Sequence, residues 1–466
     1  MRGRAYGLTR ASCGLMVAVL LCGASYAEID RAAAKQELID KLSADINKVQ
    51  HAVRVTKALI AKSPDAPYLP DLYFRLAELY VEKSRYIFAR VMEQQPVDQK
   101  VLEGDKALEV QITKRLAIET YDKLINDFGE YPQNDQVRFF RAHEYRELGE
   151  WESMLQQYDE LIAKYPRSLW SIEARLILAD YHFDKGELDR AEARYQEILA
   201  LPESHLHDMA RYKLGWIRIN QERFKEALAF FEAAVGSSQK NRRGAVGDAR
   251  RLDVKREALL ALTWPYGEVK KAPQAVDYFR TLAESKTLYV EALKKLANRY
   301  FIKTEYVSAA LLYREIVRLS ADVEQNIEFV QRIYDSVRNM SSRDPQRYGH
   351  AEDDVEAIVA NLARFENHWR FPVEDQGKLA HDFELRARDL ATRLHVEAQR
   401  TKDTASATIA ANAYEQYLSL FGKSVEHKTI ETNRAEALYQ GGSYVSAGLQ
   451  YESVARELGD TSAQRD

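Results

Sequence analysis

The sequence predicts an all-α fold, a superhelical solenoid of antiparallel helical hairpins, and three observations support this prediction. The first is a recurring pattern: a small residue, then a small or apolar residue twelve positions later, then an aromatic four positions after that. The first members of the first three sets lie 37 and 36 residues apart, and a period in the thirties is typical of stacked helical hairpins. The five sets are Ala142/Met154/Tyr158, Ala179/Ala191/Tyr195, Gly215/Ala227/Phe231, Ala297/Ala309/Tyr313 and Ala435/Ala447/Tyr451.

The second observation is a glycine at the predicted turn between the two helices of a hairpin. Two antiparallel helices pack closely where small residues face each other, and the aromatic residue one turn later fills the groove against the next hairpin. Gly149, Gly186 and Gly442 stand seven positions after the small residue of the first helix. A turn at this place needs a residue that tolerates positive φ, so these glycines predict the end of each first helix.

The third observation is the composition. Only 11 prolines and 20 glycines occur in 466 residues, while 46% of the residues are hydrophobic and 30% are charged, which favours an ordered, helix-rich protein. The chain is too long for a single compact core. A solenoid has no such limit, because each repeat buries its apolar face on its neighbours.

At these positions the chain resembles the tetratricopeptide repeat family. Residues 139–166, FFRAHEYRELGEWESMLQQYDELIAKYP, match the family's pattern but depart from it at Arg141 and Met154. Residues 212–234, YKLGWIRINQERFKEALAFFEAA, match it more fully. The matching residues are Tyr145, Gly149, Trp151, Tyr158 and Pro166 in the first stretch, and Leu214, Gly215, Phe224, Ala227, Phe231 and Ala234 in the second.

The resemblance and the apolar spacing divide the chain into five segments. Residues 1–27 are a predicted signal peptide, and 28–62 an N-terminal helix whose apolar residues recur at threes and fours. That spacing also suits a coiled coil, although fewer than three heptads are present. Residues 66–318 are the tetratricopeptide-like solenoid, 320–404 a degenerate helical region, and 405–458 the C-terminal tetratricopeptide-like hairpins.

The first 27 residues have the composition of a secretory signal. Three arginines precede an apolar run from Gly14 to Gly23, and Ser25 and Ala27 supply small residues before a cleavage site. The sequence therefore predicts a mature chain that begins at Glu28 in a periplasm-like compartment. A lipoprotein acylated at Cys22 is the alternative, although the preceding Leu21 is larger than such sites prefer.

Charge and motifs exclude several classes of function. Without residues 1–27 the chain keeps 64 basic and 71 acidic residues, a net charge of about −7 that argues against a nucleic-acid partner. No later apolar run reaches membrane length, so membrane contact is expected only peripherally or through partners. No phosphate-binding glycine loop, GxSxG or HExxH motif occurs, and both cysteines lie within the signal. We therefore expect no enzyme, cofactor or metal site.

The family resemblance implies that the first helix of each hairpin lines a concave groove. Aromatic side chains there would give a bound peptide buried area, and polar groups would orient it. The alternative is that several of these aromatics pack between helices as core. The predicted groove residues are Phe139, His143, Phe183, Tyr212, Trp216, Trp264 and Phe301.

The chain is similar to periplasmic tetratricopeptide proteins of bacterial envelope machines, which implies a scaffold for envelope proteins or peptides. Residues 69–86, LPDLYFRLAELYVEKSRY, resemble repeat proteins of myxobacterial gliding-motility complexes. An accessory role in peptidoglycan remodelling or outer-membrane assembly is the alternative. The last predicted hairpin, with Ala447, Tyr451 and Val454, leaves few residues for a capping helix, so its apolar edge is a candidate surface for self-association or a second partner.

Overall fold

The computed structural model describes residues 12–94, 105–204, 206–236, 248–340, 349–366 and 373–463. Within these ranges the chain forms nineteen α-helices and no β-strand, and most helices pack against the next helix of the same unit. The all-α solenoid predicted from the sequence is therefore confirmed. The contacts divide the chain into two units, residues 1–201 and 202–466, and each is described by itself.

The first unit contains helices α1 to α7. Helix α1 packs along α2, where its Val49 and Val53 join a buried cluster with Phe74, Ala77 and Tyr121. The first part of α1 with described side chains is mostly exposed, and Ile46 is its first buried residue. The helices are α1 Ser12–Lys62, α2 Leu69–Gln94, α3 Asp105–Asp127, α4 Asn134–Glu147, α5 Trp151–Lys164, α6 Leu169–Asp184 and α7 Leu188–Leu199.

The second unit contains helices α8 to α19 and one 3₁₀ turn, Ala272–Gln274. Its apolar residues form two clusters, one centred on α8 to α13 and the other on α14 to α18. The helices are α8 Leu206–Asn220, α9 Phe224–Gly236, α10 Asp248–Val269, α11 Ala275–Leu282, α12 Lys286–Ile302, α13 Tyr306–Leu319, α14 Val323–Asn339, α15 Ala351–Glu366, α16 Val373–Thr401, α17 Thr404–Phe421, α18 His427–Gln440 and α19 Tyr444–Ala463.

The residues of the repeating pattern occupy the helix crossings. All members of the first four sets are buried, and so are Ala435 and Ala447 of the fifth. Tyr451 differs, since 40% of it is exposed. Small residues thus allow the two helices of each hairpin to approach, and the aromatic residue fills the space beside them.

The turns of the hairpins share one backbone geometry. Gly149 has φ 75°, and its N–H donates to the Arg146 carbonyl while the Glu150 N–H donates to the Tyr145 carbonyl at 2.9 Å. This pair of bonds is a Schellman motif, which satisfies carbonyls left free at a helix end. The same two bonds recur at Gly186 and Gly442, and also at Glu222 and Thr304, which adopt φ 58° and 62° without being glycine.

Gly215 has a different role, because it lies inside α8 where the helix meets Phe231 of α9. A Cβ atom at this position would lie 2.6 Å from Cε1 of Phe231, well inside van der Waals contact. Only glycine therefore lets the Phe231 ring pack directly on the α8 backbone.

Candidate functional site

Four helices of the second unit carry a row of aromatic and arginine side chains. We call this row the aromatic–arginine ladder and define it as Trp216 on α8, Trp264 on α10, Arg299 and Phe301 on α12, and Arg332 on α14. The rings of Trp216 and Trp264 meet edge to face, with centroids 6.0 Å apart. Trp264 is 39% exposed, and the other four are half-buried, so the ladder presents apolar area to solvent.

Two guanidinium groups lie over the faces of these rings. The Arg299 guanidinium carbon is 4.4 Å from the centre of the Trp264 ring, and that of Arg332 is 4.8 Å from the centre of the Phe301 ring. Both distances fall within the range of cation–π attraction. The stacking holds long arginine side chains in place, which lowers the entropy lost when they bind a ligand.

Glu268 of α10 neutralises part of this positive charge. Its carboxylate accepts hydrogen bonds from Arg299 at 2.7 Å and from Lys303 at 3.0 Å. Burial alone would raise the pKa of Glu268, but these two hydrogen bonds outweigh it and lower the pKa. Glu268 therefore stays ionised and holds the Arg299 side chain in place. At the other end of the ladder, Nε of Arg332 lies 4.0 Å from a carboxylate oxygen of Glu328.

The inner side of the ladder rests on the core of the second unit. Trp216 packs against Phe231 with ring centres 5.9 Å apart, and Tyr212 lies at the same distance from Phe231. Tyr212 also meets Trp216 edge to face at 6.3 Å. Tyr212 and Trp216 thus contact the core on one side and are partly exposed on the other.

The first unit places two predicted groove residues beside a cavity of about 360 Å³ between α2, α3 and α4. Phe139 and His143 both line it, and Phe139 also packs on Trp170 with ring centres 4.9 Å apart. The wall includes Glu144, whose carboxylate accepts a buried hydrogen bond from Lys114 at 3.0 Å. The other lining residues are Arg75, Glu78, Val81, Glu82, Arg85, Tyr121 and Phe140.

His143 lies in a setting that disfavours its charged form. Burial lowers its pKa, although the carboxylates of Glu147 and Glu144 act in the opposite direction. The imidazole is therefore neutral at pH 7 and offers one donor and one acceptor to the cavity.

The structure brings some of the predicted residues together and leaves others apart. Tyr212, Trp216, Trp264 and Phe301 lie along one series of helices in the second unit, and Phe139 and His143 share the cavity in the first. Phe183 is half-buried near the end of α6 and does not line that cavity. Whether any of these residues contacts a partner remains a prediction.

Sequence reasoning missed the arginines of the ladder. Arg299 stands two positions after the small residue Ala297 and two before the predicted groove residue Phe301. Its side chain reaches Trp264 only because α10 and α12 are neighbours, which helix spacing within one hairpin does not reveal. The prediction of Trp264 as a groove residue was the available signal, because an accessible tryptophan ring is the preferred partner of a stacked arginine.

In the ranges that the structure describes, none of the helices combines the length and apolarity needed to cross a membrane.

The chain was compared with curated protein sequences and with solved structures. No curated protein sequence matches the chain. A tetratricopeptide repeat protein from Parabacteroides merdae is 18% identical and covers 64% of this chain and 98% of its own, with a TM-score of 0.32. The C-terminal part of a TPR repeat-containing protein from Cytophaga hutchinsonii is 16% identical and covers 62% and 97%, with a TM-score of 0.34. The apo quorum sensor NprR from B. thuringiensis is 12% identical and covers 76% and 96%, with a TM-score of 0.29.

A family model narrows the comparison to one part of the chain. The model for a tetratricopeptide repeat-like domain matches residues 133–250, about a quarter of the sequence. That range contains the first three sets of the repeating pattern and the turns at Gly149, Gly186 and Glu222. Residues 133–250 are therefore similar in sequence to a tetratricopeptide repeat-like domain.

Proposed function

We propose that this protein is a non-enzymatic scaffold that binds other proteins within a multiprotein assembly of the cell envelope. The observation that carries the proposal is the aromatic–arginine ladder, an accessible row of rings and stacked guanidinium groups on consecutive first helices. Large aromatic and arginine side chains contribute most of the binding free energy at protein interfaces. A tetratricopeptide repeat-like domain supports protein partners in general, because stacked hairpins present an extended binding surface.

The chemistry of the ladder suggests the kind of segment it holds. Trp216 and Trp264 offer apolar area, and Arg332 offers a planar group that pairs with carboxylates through two hydrogen bonds. The matching partner is an extended or helical segment in which apolar side chains alternate with Asp or Glu. Phe139 and His143 beside the cavity of the first unit are proposed as a second contact.

The location and the process rest on sequence features alone. The signal-like residues 1–27 support a periplasmic protein, with membrane contact only peripheral or through partners. The resemblance of residues 69–86 supports a place in a gliding-motility complex as the specific form of the proposal.

The test compares capture of envelope proteins by three versions of the chain. Trp264→Ala combined with Arg332→Ala should weaken capture of the principal partner by about 30-fold, equivalent to about 2 kcal/mol, because both anchors are lost. Trp151→Ala is the matched control, since Trp151 belongs to the first unit, is 43% exposed and packs on Tyr181 with ring centres 5.7 Å apart. Circular dichroism checks that all three remain helical. Equal losses in the two variants would place the binding surface elsewhere.

The last hairpin is proposed as a further contact surface, for self-association. Tyr444, Val445 and Leu449 of α19 are 64%, 80% and 64% exposed. Apolar side chains this accessible favour coverage by another chain. Sedimentation of a Leu449→Glu variant tests the idea, and an unchanged oligomeric state would contradict it.

A further inference from the structure

One histidine and two carboxylates converge between helices α18 and α19. The ligand atoms of His427, Glu431 and Glu457 all lie within 4.8 Å of one another. In the part of the chain that the structure describes, no other group of three metal-ligating side chains meets so closely.

The helical geometry explains why these side chains meet. His427 and Glu431 stand four residues apart on α18, so they lie on one face of that helix. Glu457 comes from α19, which packs antiparallel to α18 through the buried Ala435 and Ala447. Ile430 of α18 and Val454 of α19 are also buried, and Glu457 stands three residues after Val454, where its carboxylate approaches His427.

A hydrogen bond to the backbone orients the His427 ring for metal binding. Nδ1 of His427 lies 2.8 Å from the backbone carbonyl oxygen of Ser424. A carbonyl oxygen only accepts, so Nδ1 is the donor, and the neutral form of this ring has its lone pair on Nε2. Histidines that bind metals commonly donate their other ring nitrogen in this way, which fixes both the tautomer and the ring orientation.

We propose that His427, Glu431 and Glu457 form a binding site for a divalent transition-metal ion such as Zn²⁺. An imidazole nitrogen selects such ions over Ca²⁺ and Mg²⁺, which prefer oxygen ligands. In a tetrahedral site with bonds of about 2.0 to 2.2 Å, neighbouring ligand atoms lie about 3.4 Å apart. The present spacing of up to 4.8 Å would therefore have to shorten by about 1.4 Å when an ion binds.

The bound ion would join the two helices of the last hairpin. Because the ligands come from both α18 and α19, the ion binds the folded hairpin and not the separated helices, so it stabilises their contact. Three protein ligands leave a fourth position for water or for a group from another molecule. The site lies outside the ladder, so its test does not depend on the proposed scaffold function.

The experiment titrates Zn²⁺ into the full chain, prepared without a histidine tag and treated with chelator, and follows binding by calorimetry. One Zn²⁺ should bind per chain. His427→Gln, Glu431→Gln and Glu457→Gln should each lower the affinity at least about tenfold. His350→Gln is the matched control, since His350 lies 3.5 Å from Asp353 on a helix start without a third converging ligand in the described residues.

Amide hydrogen exchange identifies the helices that Zn²⁺ binding stabilises. Zn²⁺ should slow exchange in α18 and α19 of the parent chain and of His350→Gln, but not of His427→Gln, and Ca²⁺ at the same concentration should have no such effect. The proposal is overturned if the parent binds no Zn²⁺, if His427→Gln binds it as tightly as the parent, or if protection appears in other helices. Equal binding of Ca²⁺ would also overturn it, because the histidine nitrogen would then contribute nothing.

Discussion

Gly215 lies where helix α8 and the Phe231 ring leave no room for a side chain. We expect Gly215→Ala to destabilise the protein by about 1 to 3 kcal/mol, because a methyl group 2.6 Å from the ring forces the helices apart. Urea denaturation measures the change. Gly448→Ala in α19 is the control: a Cβ there meets no atom within 4 Å, and alanine should stabilise that helix by up to about 1 kcal/mol. Equal effects of the two substitutions would contradict the packing role of Gly215.

Thr304 holds a backbone conformation that a β-branched residue rarely adopts. Its φ of 62° is the same left-handed turn that Gly149 and Gly186 make in their hairpins. We expect Thr304→Gly to stabilise the protein by about 1 kcal/mol, because glycine removes a strain of about 1 to 2 kcal/mol at a small cost in entropy.

Gly186→Thr is the reverse substitution and serves as the control for Thr304→Gly. Both positions are exposed, and a Cβ at Gly186 meets no atom within 4 Å, so only the backbone angle opposes threonine there. Thermal unfolding should shift in opposite directions for the two variants. Destabilisation by Thr304→Gly would show that the threonine side chain makes a contact that outweighs the strain.

The hairpin is the element that sequence spacing predicted best. Small residues at a helix crossing and a glycine at φ near 75° are imposed by local geometry, so the pattern alone identified both. The turns at Glu222 and Thr304 were not predicted, because these residues lack the glycine signal although they make the same turn hydrogen bonds. The arginines over Trp264 and Phe301 were also missed, since stacking between repeats depends on how neighbouring hairpins dock.

Helices α16 and α17 enclose a buried histidine, His395, which we expect to make the stability of the second unit depend on pH. His395 is 4% exposed, with Nδ1 3.3 Å from the Tyr414 hydroxyl and Nε2 3.2 Å from Gln399. Burial lowers its pKa, although the carboxylate of Glu436 acts against this. The folded state therefore keeps the imidazole neutral down to a lower pH than the unfolded chain does.

The sign of the pH dependence follows from that difference. The stability contribution of neutral His395 is complete above the unfolded pKa of about 6.5 and is lost as the pH falls towards and below the folded pKa. We expect the free energy of unfolding to fall between pH 7 and pH 5 by more in the parent than in His395→Gln. One proton sets an upper limit of about 1.4 kcal/mol per pH unit on this contribution. Urea denaturation at both pH values measures it, and identical slopes in the two proteins would exclude His395 as the cause.

At the scale of the whole molecule, helix α1 packs on α2 through residues that lie well after the predicted signal peptide, residues 1–27. Most residues from 33 to 45 are exposed, and the first buried side chain among those described is Ile46 of α1. Packing of α1 on α2 therefore rests on Ile46, Val49 and Val53, well beyond the predicted cleavage site.

We expect the chain recovered from envelope extracts to begin at Glu28 and to unfold at the same urea concentration as a chain that retains residues 1–27. N-terminal sequencing checks the first expectation, and urea denaturation of both forms checks the second. Cys22→Ser is the control for lipidation: it should leave processing unchanged if cleavage follows Ala27, but should block maturation of a lipoprotein. An acylated Cys22 would show that the chain is anchored to a membrane by its N-terminus. A stability difference of more than about 1 kcal/mol between the two forms would mean that residues before Glu28 contribute to the fold, because the loss of unpacked surface residues changes stability by about 0.5 kcal/mol or less.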